Sequence, residues 1–485
     1  MGERNYPKYD LFRIGCLRRL VKERPFQFLF QLPFVLIFLI IIYAGLFGNQ
    51  YVSKNIATIA TWLIWWSGLI FVIIFFGKVW CLVCPWNAIS QWIRRLTFWK
   101  KKEDLFTLDK KWPKKLKNIY PATVFFVLLT WLELGYGVTY SPKNTAYLAI
   151  LLLTMTLVSA VIFERAAFCR YACLVGRVSG LYSLFSSLEL RRRDKEICSK
   201  ICHPSPSADG IVRDQKMRDC ALGNELGYPC PTFEYPRVMD LNTYCILCTE
   251  CVKSCKYDNI SLNIRPFATD LIKSKSPKKD EAYLALIMLS MTFFHGVTML
   301  EGWSGLTTQI GISTGLGNLG SFSLAMVAII TLPILVYYIF AVISKATSGD
   351  TRVPLKTVFI SYAYPFLPIA LLFHLAHNSM HLFSEGQGLI PILSDPMGRG
   401  WNLFGTATWT LKPILSMGTI MNMQMLLMAV GFIYAVYIGH SISLRTFSDR
   451  RHSLKSLFPM LILMILASIA GIWLLMQPME MRTLM

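Results

Sequence analysis

The sequence has few charged residues for its length, and acidic residues are fewer than basic ones. Only 16% of its 485 residues are charged, with 28 Asp and Glu against 49 Lys and Arg. It has no glycine-rich phosphate-binding loop and no hydrolase, kinase or dinucleotide-binding motif. These absences leave no sign of nucleotide-dependent or hydrolytic chemistry.

Apolar residues fill the space that charge leaves. They make up 54% of the chain, and the mean hydropathy is +0.46. This composition predicts a polytopic membrane protein. The net charge of +21 does not indicate nucleic-acid binding, because Lys and Arg gather between apolar runs, where the positive-inside rule places them.

We predict an all-α polytopic membrane protein of about nine transmembrane helices. The apolar runs cover residues 26–47, 56–78, 120–134, 146–163, 282–300, 321–343, 357–375, 414–437 and 457–476. The basic residues predict a bacterial cytoplasmic (inner) membrane protein with its N-terminus in the cytoplasm and its C-terminus outside. Three domains are expected: residues 1–188 (four membrane helices), 189–280 (a cytoplasmic insertion) and 281–485 (five membrane helices).

All 13 cysteines precede residue 256, and four of them form a compact motif. Cys245, Cys248, Cys251 and Cys255 have the CxxCxxCxxxC spacing of a ferredoxin loop, in which three thiolates bind one cluster and the fourth binds a neighbouring cluster. Zinc is the main competitor, but zinc sites usually use two separated pairs. The insertion is therefore predicted to be a ferredoxin-like 2[4Fe–4S] domain.

Four upstream cysteines complete two sets of ligands. In the ferredoxin pattern, the fourth cysteine of each run crosses to the other cluster. We expect one cluster to be bound by Cys245, Cys248, Cys251 and Cys230, and the other by Cys198, Cys202, Cys220 and Cys255.

Two cysteine pairs end inward-running spans. Cys81 and Cys84 follow the second span, and Cys169 and Cys173 follow the fourth, so the two halves repeat. Three interpretations stay open: a redox-active dithiol or disulfide, ligands of a further metal or cluster, or thiols that pack under the ferredoxin domain.

The first 265 residues resemble membrane polyferredoxins of the NapH, NosR and CcoG type. The matching elements are four spans, the motifs Cys81-Leu-Val-Cys84-Pro85 and Cys169-Arg-Tyr-Ala-Cys173, and the double-cluster module. The resemblance implies electron transfer between the quinone pool or a cytoplasmic donor and a membrane or periplasmic partner. It departs at Leu174, where those relatives have proline, and does not reach the second half.

Four histidines in the second half are candidate ligands. His374, His377 and His381 share one stripe of a helix, because residues at i, i+3 and i+7 lie on one face. His295 is expected at a similar membrane depth. The sequence leaves haem b, quinone or proton chemistry, another metal, and simple helix packing as alternatives. The outer loop 384–412 is a docking surface or a lid over this cluster.

Together, these features predict an oxidoreductase component. We expect electrons to pass between cytoplasmic [4Fe–4S] clusters and a quinone or haem site towards the outer face, in exchange with a redox partner protein or the quinone pool. The alternatives are a copper reductase or cofactor-assembly factor, and a redox-sensing bundle without turnover.

Overall fold

The computed structural model describes residues 9–96, 106–202, 218–273 and 277–479. The chain is mostly helical. Its helices and helical turns cover Leu11–Arg13, Gly15–Lys22, Phe26–Phe47, Val52–Lys54, Ile56–Thr58, Ile59–Trp65, Trp66–Phe76, Val79–Val83, Pro85–Arg95, Lys114–Leu116, Tyr120–Gly135, Val138–Tyr140, Pro142–Ile162, Phe168–Ala172, Leu174–Tyr182, Ile197–Ile201, Asp219–Leu222, Glu250–Ser254, Thr269–Lys273, Lys279–Val297, Trp303–Thr314, Asn318–Ser348, Leu355–Ala363, Phe366–Glu385, Gly386–Gly388, Leu389–Ser394, Met417–Thr446 and Arg450–Leu475.

Seven helical segments in the described residues are long and apolar enough to cross a membrane. They are Phe26–Phe47, Ile56–Phe76, Pro142–Ile162, Asn318–Ser348, Leu355–Ser394, Met417–Thr446 and Arg450–Leu475. Two of the predicted spans are helical but are not among the seven. Tyr120–Gly135 has 16 residues, short of the roughly 20 that a bilayer requires, and Lys279–Val297 begins with three charged residues. The count of nine stays a prediction.

The described chain divides into two compact units, each built from three separate segments. The first contains Met1–Leu39, Val72–Ile119 and Ile150–Asp270, and the second contains Ile40–Phe71, Tyr120–Ala149 and Leu271–Met485. The three consecutive domains expected from the sequence stay a prediction.

A small antiparallel sheet, which an all-α prediction does not include, frames the cysteine-rich part of the first unit. Ile260–Ile264 is its central strand, between Tyr9–Asp10 and Leu188–Arg192. Apolar side chains of the sheet join a core that includes Leu247 and Val252, against which Cys245 and its three partners in the motif pack. The sheet thus supports the cysteine loop.

A buried ionic network joins this sheet to the segment that leads into the cysteine loop. Arg265 contacts Glu189 at 3.1 Å and also Asp270. Arg191 lies 3.4 Å from the Asp270 carboxylate and donates to the Asn242 side chain at 3.0 Å. The backbone N–H of Asn242 donates to Asp270 at 2.8 Å. Because Asn242 precedes Cys245 by three residues, the network fixes the start of the loop.

The second unit is organised around the helix Phe366–Glu385. Its residues from Phe366 to His381 are all buried, as expected of a helix that is apolar on every side. It packs on Lys279–Val297, Met417–Thr446 and Arg450–Leu475. A Cβ on Gly471 would lie 2.9 Å from a ring carbon of Phe373, so a small residue is needed for this close approach.

Replacing Asp270 with alanine tests the ionic network. Two buried guanidinium groups would lose their shared carboxylate, so we expect the variant to lose about 3–5 kcal/mol of stability. The measurement is the thermal unfolding midpoint of the purified protein in detergent. The control, Lys200→Ala, breaks an ion pair whose side chains are 70% and 69% exposed and should cost less than about 1 kcal/mol. Equal unfolding midpoints for the two variants would contradict a stabilising role of the ionic network.

Candidate functional site

The four cysteines that follow the inward-running spans occupy equivalent places in two repeated structures. Helix Val79–Val83 carries Cys81 and ends at Cys84, which is the N-cap of helix Pro85–Arg95. The π-helical turn Phe168–Ala172 carries Cys169 and ends at Cys173, the N-cap of Leu174–Tyr182. The Sγ atom of Cys173 accepts a hydrogen bond from Gly176 N at 3.3 Å. Helix N-termini favour the thiolate form of cysteine.

These two pairs come together in the first unit. Burial raises the pKa of Cys84 well above its usual value, and the neighbouring Cys81, Cys169 and Cys173 raise it further. Asn87 connects the pairs, because its side chain donates to Cys81 O at 3.2 Å and lies 3.9 Å from Cys169 Sγ. The four residues therefore form one group, which we call the membrane-edge cysteines.

A second group consists of Cys198, Cys202, Cys220 and Cys255, which line one pocket. Asn259 supplies two hydrogen bonds to its sulfur atoms, from its side chain to Cys198 Sγ and from its backbone N–H to Cys255 Sγ, both at 3.2 Å. Burial raises the pKa of Cys220 to about 12, and the nearby Cys255, Cys198 and Cys202 add to this effect.

The third group consists of Cys230, Cys245, Cys248 and Cys251. Burial, followed by the charges of Cys248, Cys245 and Cys230, raises the pKa of Cys251 well above its usual value. The loop folds tightly around the group, since Leu247 and Thr249 have φ values of 55° and 62°. This left-handed conformation is rare for bulky or branched residues and often occurs at functional sites.

The structure thus brings together the two sets of four that the ferredoxin pattern predicts. Burial penalises a free thiolate, whereas N–H donors aimed at sulfur and bound iron both favour it. In the described residues, no group of three His, Cys, Asp or Glu side chains is arranged to hold a single metal ion. A [4Fe–4S] cluster places one thiolate on each of four irons, so its ligands spread more widely than the ligands of one zinc ion. The cysteine groups fit the cluster.

The four predicted histidines meet in the second unit. His295, His374, His377 and His381 are all buried and line one pocket, together with Asn378. The His377 and His381 rings lie 5.2 Å apart, and the His374 ring lies 6.1 Å from Trp66.

Sequence reasoning missed the opposite wall of this pocket. It is formed by the π-helical segment Ile59–Trp65 and by Trp66. A π-helical stretch is frequent at functional sites, but nothing in the local sequence indicates one.

The histidine pocket is small in this structure. The open space among the side chains is about 30 Å³, enough for one or two water molecules. The choice among haem b, quinone or proton chemistry, another metal and simple helix packing stays a prediction.

A much larger cavity of about 1280 Å³ shares the walls Ile59 and Leu63 with the histidine pocket. Residues of the outer loop line it, including Gln387, Asp395 and Trp409. Glu385 also lines it and lies 3.1 Å from Nδ1 of His381. The His381–Glu385 pair therefore connects the water-sized pocket with a cavity large enough for an organic ligand.

Comparisons with known proteins support iron–sulfur chemistry. A family model described as a 4Fe–4S binding domain matches residues 58–115 and 145–193, the segments that contain the four membrane-edge cysteines. An uncharacterized protein of Methanocaldococcus jannaschii is 27% identical over 191 residues, which are 39% of this chain and 65% of that protein. The chain thus spans just under two thirds of this relative's length. No solved structure matches.

The chain is therefore similar to proteins that contain a 4Fe–4S binding domain. The narrower resemblance to the NapH, NosR and CcoG group stays a prediction.

Replacing Cys248 with serine tests the third cysteine group. A hard hydroxyl is a poor substitute for a thiolate ligand, so we expect the loss of about four irons per chain. Iron and acid-labile sulfide are assayed in anaerobically purified protein. Cys16→Ser is the matched control, because Cys16 is exposed and outside all three groups. Unchanged iron in the Cys248 variant would refute the ligand assignment.

Proposed function

We propose that this chain is a membrane electron-transfer protein that exchanges electrons between [4Fe–4S] clusters and a quinone. The observation that carries the proposal is the grouping of eight buried or half-buried cysteines into two sets of four. Such sets match the ligand requirement of two clusters. The match to a 4Fe–4S binding domain and the seven apolar helices support the same class of protein.

In each set, this chain's own residues hold the thiolates and limit the access of water. The clusters, when bound, supply one-electron redox chemistry. Asn259 directs two N–H donors at sulfur in the set that contains Cys198 and Cys255. Hydrogen bonds to sulfur and burial are two of the factors that set a cluster's reduction potential.

The quinone is assigned to the large cavity of the second unit. A quinol that becomes a quinone releases two electrons and two protons, so its site needs a proton acceptor. Glu385 lines the cavity, and His381 lies behind it with the other histidines around the small pocket. The Glu385 carboxylate accepts a proton from the quinol hydroxyl, and His381 passes it to the water-sized pocket. The same proton transfers in the reverse order protonate a quinone that has been reduced.

The basic loops support a cytoplasmic location of the N-terminus and of the clusters in a bacterial inner membrane. The outer loop that lines the cavity supports quinone entry or a periplasmic redox partner on the opposite side. We therefore expect one redox partner on the cytoplasmic side, near the clusters, and the other within the membrane or the periplasm.

Five methionines around the cavity favour a second candidate, a copper reductase. They are Met380, Met417, Met421, Met476 and Met479. Thioether sulfur prefers Cu(I), although methionine in apolar helices is more often packing material.

Replacing Glu385 with glutamine tests the quinone site. The amide keeps the shape of the side chain but cannot accept the proton, so we expect quinol-driven reduction of the clusters to slow by about 100-fold or more. The readout is the bleaching of the iron–sulfur absorbance by a quinol analogue in liposomes. Glu301→Gln is the control, because Glu301 is exposed. Reduction by dithionite and the iron content should be unchanged in both variants.

An unchanged rate in the Glu385 variant would contradict this assignment. Reduction of the clusters without sustained turnover would indicate a redox sensor instead of an electron-transfer protein.

The copper alternative is tested with the double variant Met417→Leu, Met421→Leu. If copper is the substrate, the variant should lower Cu(II) reduction at least tenfold and leave the quinol reaction intact. Copper reduction is followed with a Cu(I)-specific chelator. Equal activity in the variant and the wild type would remove these methionines from any copper site.

A further inference from the structure

One wall of the large cavity is a stripe of a helix that is covered in its inner turns and uncovered in its first turns. Five residues at i, i+4, i+7, i+11 and i+18 share this face of Met417–Thr446: Met417, Met421, Gln424, Met428 and Ala435. Gln424 and Met428 are 3% and 1% exposed. Met417 and Met421 are 56% and 44% exposed, and both line the cavity. The face that packs against protein in the inner turns therefore meets open space in the first two turns.

Two contacts align this helix with Phe366–Glu385. The backbone N–H of Ile414, three residues before the helix, donates to Phe383 O at 2.9 Å. Further along, the Gln424 side chain donates to Ala376 O at 3.0 Å. The residue numbers rise on one side and fall on the other, so the two helices run in opposite directions.

The alignment gives the depth of the uncovered stripe. Glu385 lies nine residues after Ala376 on its helix, and Met421 lies three residues before Gln424. With a rise of 1.5 Å per residue, Met421 is about 9 Å further from the outer loop than Glu385 is. The uncovered methionines thus lie deeper in the helix bundle than the carboxylate.

The cavity has a polar end and an apolar end. Glu385, Gln387 and Asp395 line it on the side of the outer loop. Apolar side chains line it on the side of the helices: Met380, Ile420, Met421, Leu475 and Met476. An amphipathic cavity of this kind fits a ligand with a polar head and an apolar chain.

The apolar end reaches the surface of the protein between two candidate membrane spans. Met421 belongs to Met417–Thr446, and Met476 follows Arg450–Leu475 directly. Both side chains line the cavity, yet they are 44% and 55% exposed. The surface of a membrane span faces lipid, so this opening leads towards the bilayer and not towards water.

We propose that the apolar end is a subsite for the hydrocarbon chain of a membrane-soluble quinone, which enters from the bilayer between the first turns of Met417–Thr446 and the end of Arg450–Leu475. The inference rests on the proposed quinone reaction in the same cavity. The quinone ring lies at the polar end, near Glu385, and the chain passes Met421 and Met476 on its way to the lipid.

Size and residue type both suit a chain. The cavity of about 1280 Å³ exceeds the roughly 300–1,000 Å³ of sites for drug-sized ligands, so a ring alone leaves much of it empty. Methionine is unbranched and flexible, and it adapts to ligands of variable shape. The methionines of the cavity are therefore contacts for a chain that has many conformations.

Replacing Met421 with tryptophan tests the subsite. The larger side chain takes up the space of the chain, so we expect the reduction of the clusters by a decyl-substituted quinol to slow by about tenfold or more. A quinol with the same ring and a methyl group in place of the chain should react within about twofold of the wild-type rate. The bleaching of the iron–sulfur absorbance in liposomes is the readout. Each rate is divided by the wild-type rate for the same quinol, so that partition into the membrane cancels.

Leu426→Trp is the matched control. Leu426 is on the same helix and is 64% exposed, but it lies outside the described lining of the cavity, so both quinols should react at the wild-type rate. Gly418→Trp is a second test variant if Met421→Trp does not accumulate. Gly418 lines the cavity, and a Cβ added there meets no atom within 4 Å. Equal slowing of both quinols in the test variants, or slowing of neither, would overturn the subsite.

Binding without turnover separates this inference from the proposed function. Native mass spectrometry measures the binding of the oxidised decyl quinone to the wild type and to Met421→Trp. Binding that only the wild type shows would support the subsite even if no quinol reduced the clusters, a result that would refute the proposed electron transfer. No binding to the wild type would overturn the subsite. A phospholipid that co-purifies with the wild type and is lost from Met421→Trp would identify an acyl chain as the occupant and overturn the assignment to a quinone.

Discussion

A charge removed from water must be compensated where it lies, and this constraint governs the first unit. Twelve of the 13 cysteines are half-buried or buried, where thiolates are costly. The structure provides N–H donors from Asn259 and Gly176, two helix N-termini, and the cations Lys78 and Arg177. Each of these favours negative charge on sulfur. The ionic network of Asp270, Arg265 and Arg191 obeys the same constraint with protein groups alone.

In the second unit, the residue types alone leave several chemistries open. Judged by residue type alone, four histidines in membrane helices suit haem binding, metal binding and proton transfer equally well. The space between them is water-sized, while the cavity that Glu385 lines is some forty times larger. The two spaces share walls at Ile59 and Leu63, and the pair of His381 and Glu385 lies between them. The proposed quinone site depends on this pair for the transfer of protons.

The sequence predicts much of the first unit because cysteine spacing is a local property. The offsets among Cys245, Cys248, Cys251 and Cys255 predicted a cluster loop, and the ferredoxin crossover predicted the two sets that the structure brings together. Lys78 and Arg177 could not be found in this way. They are about 100 residues apart in sequence and look like ordinary basic residues near membrane ends, so only burial and the absence of hydrogen bonds to the guanidinium distinguish them. The π-helical wall and the volume of the histidine pocket likewise depend on tertiary packing.

The three cysteine groups differ in the charged residues that surround them. Beside Cys251, the buried Glu250 is paired with Lys253 at 2.9 Å, so this pair adds little net charge. The membrane-edge cysteines have two cations that no carboxylate of the described residues neutralises. A cluster in positive surroundings is easier to reduce, because reduction adds negative charge. The group of Cys198, Cys202, Cys220 and Cys255 also has positive surroundings, because Arg218, Arg237 and Lys256 line its pocket.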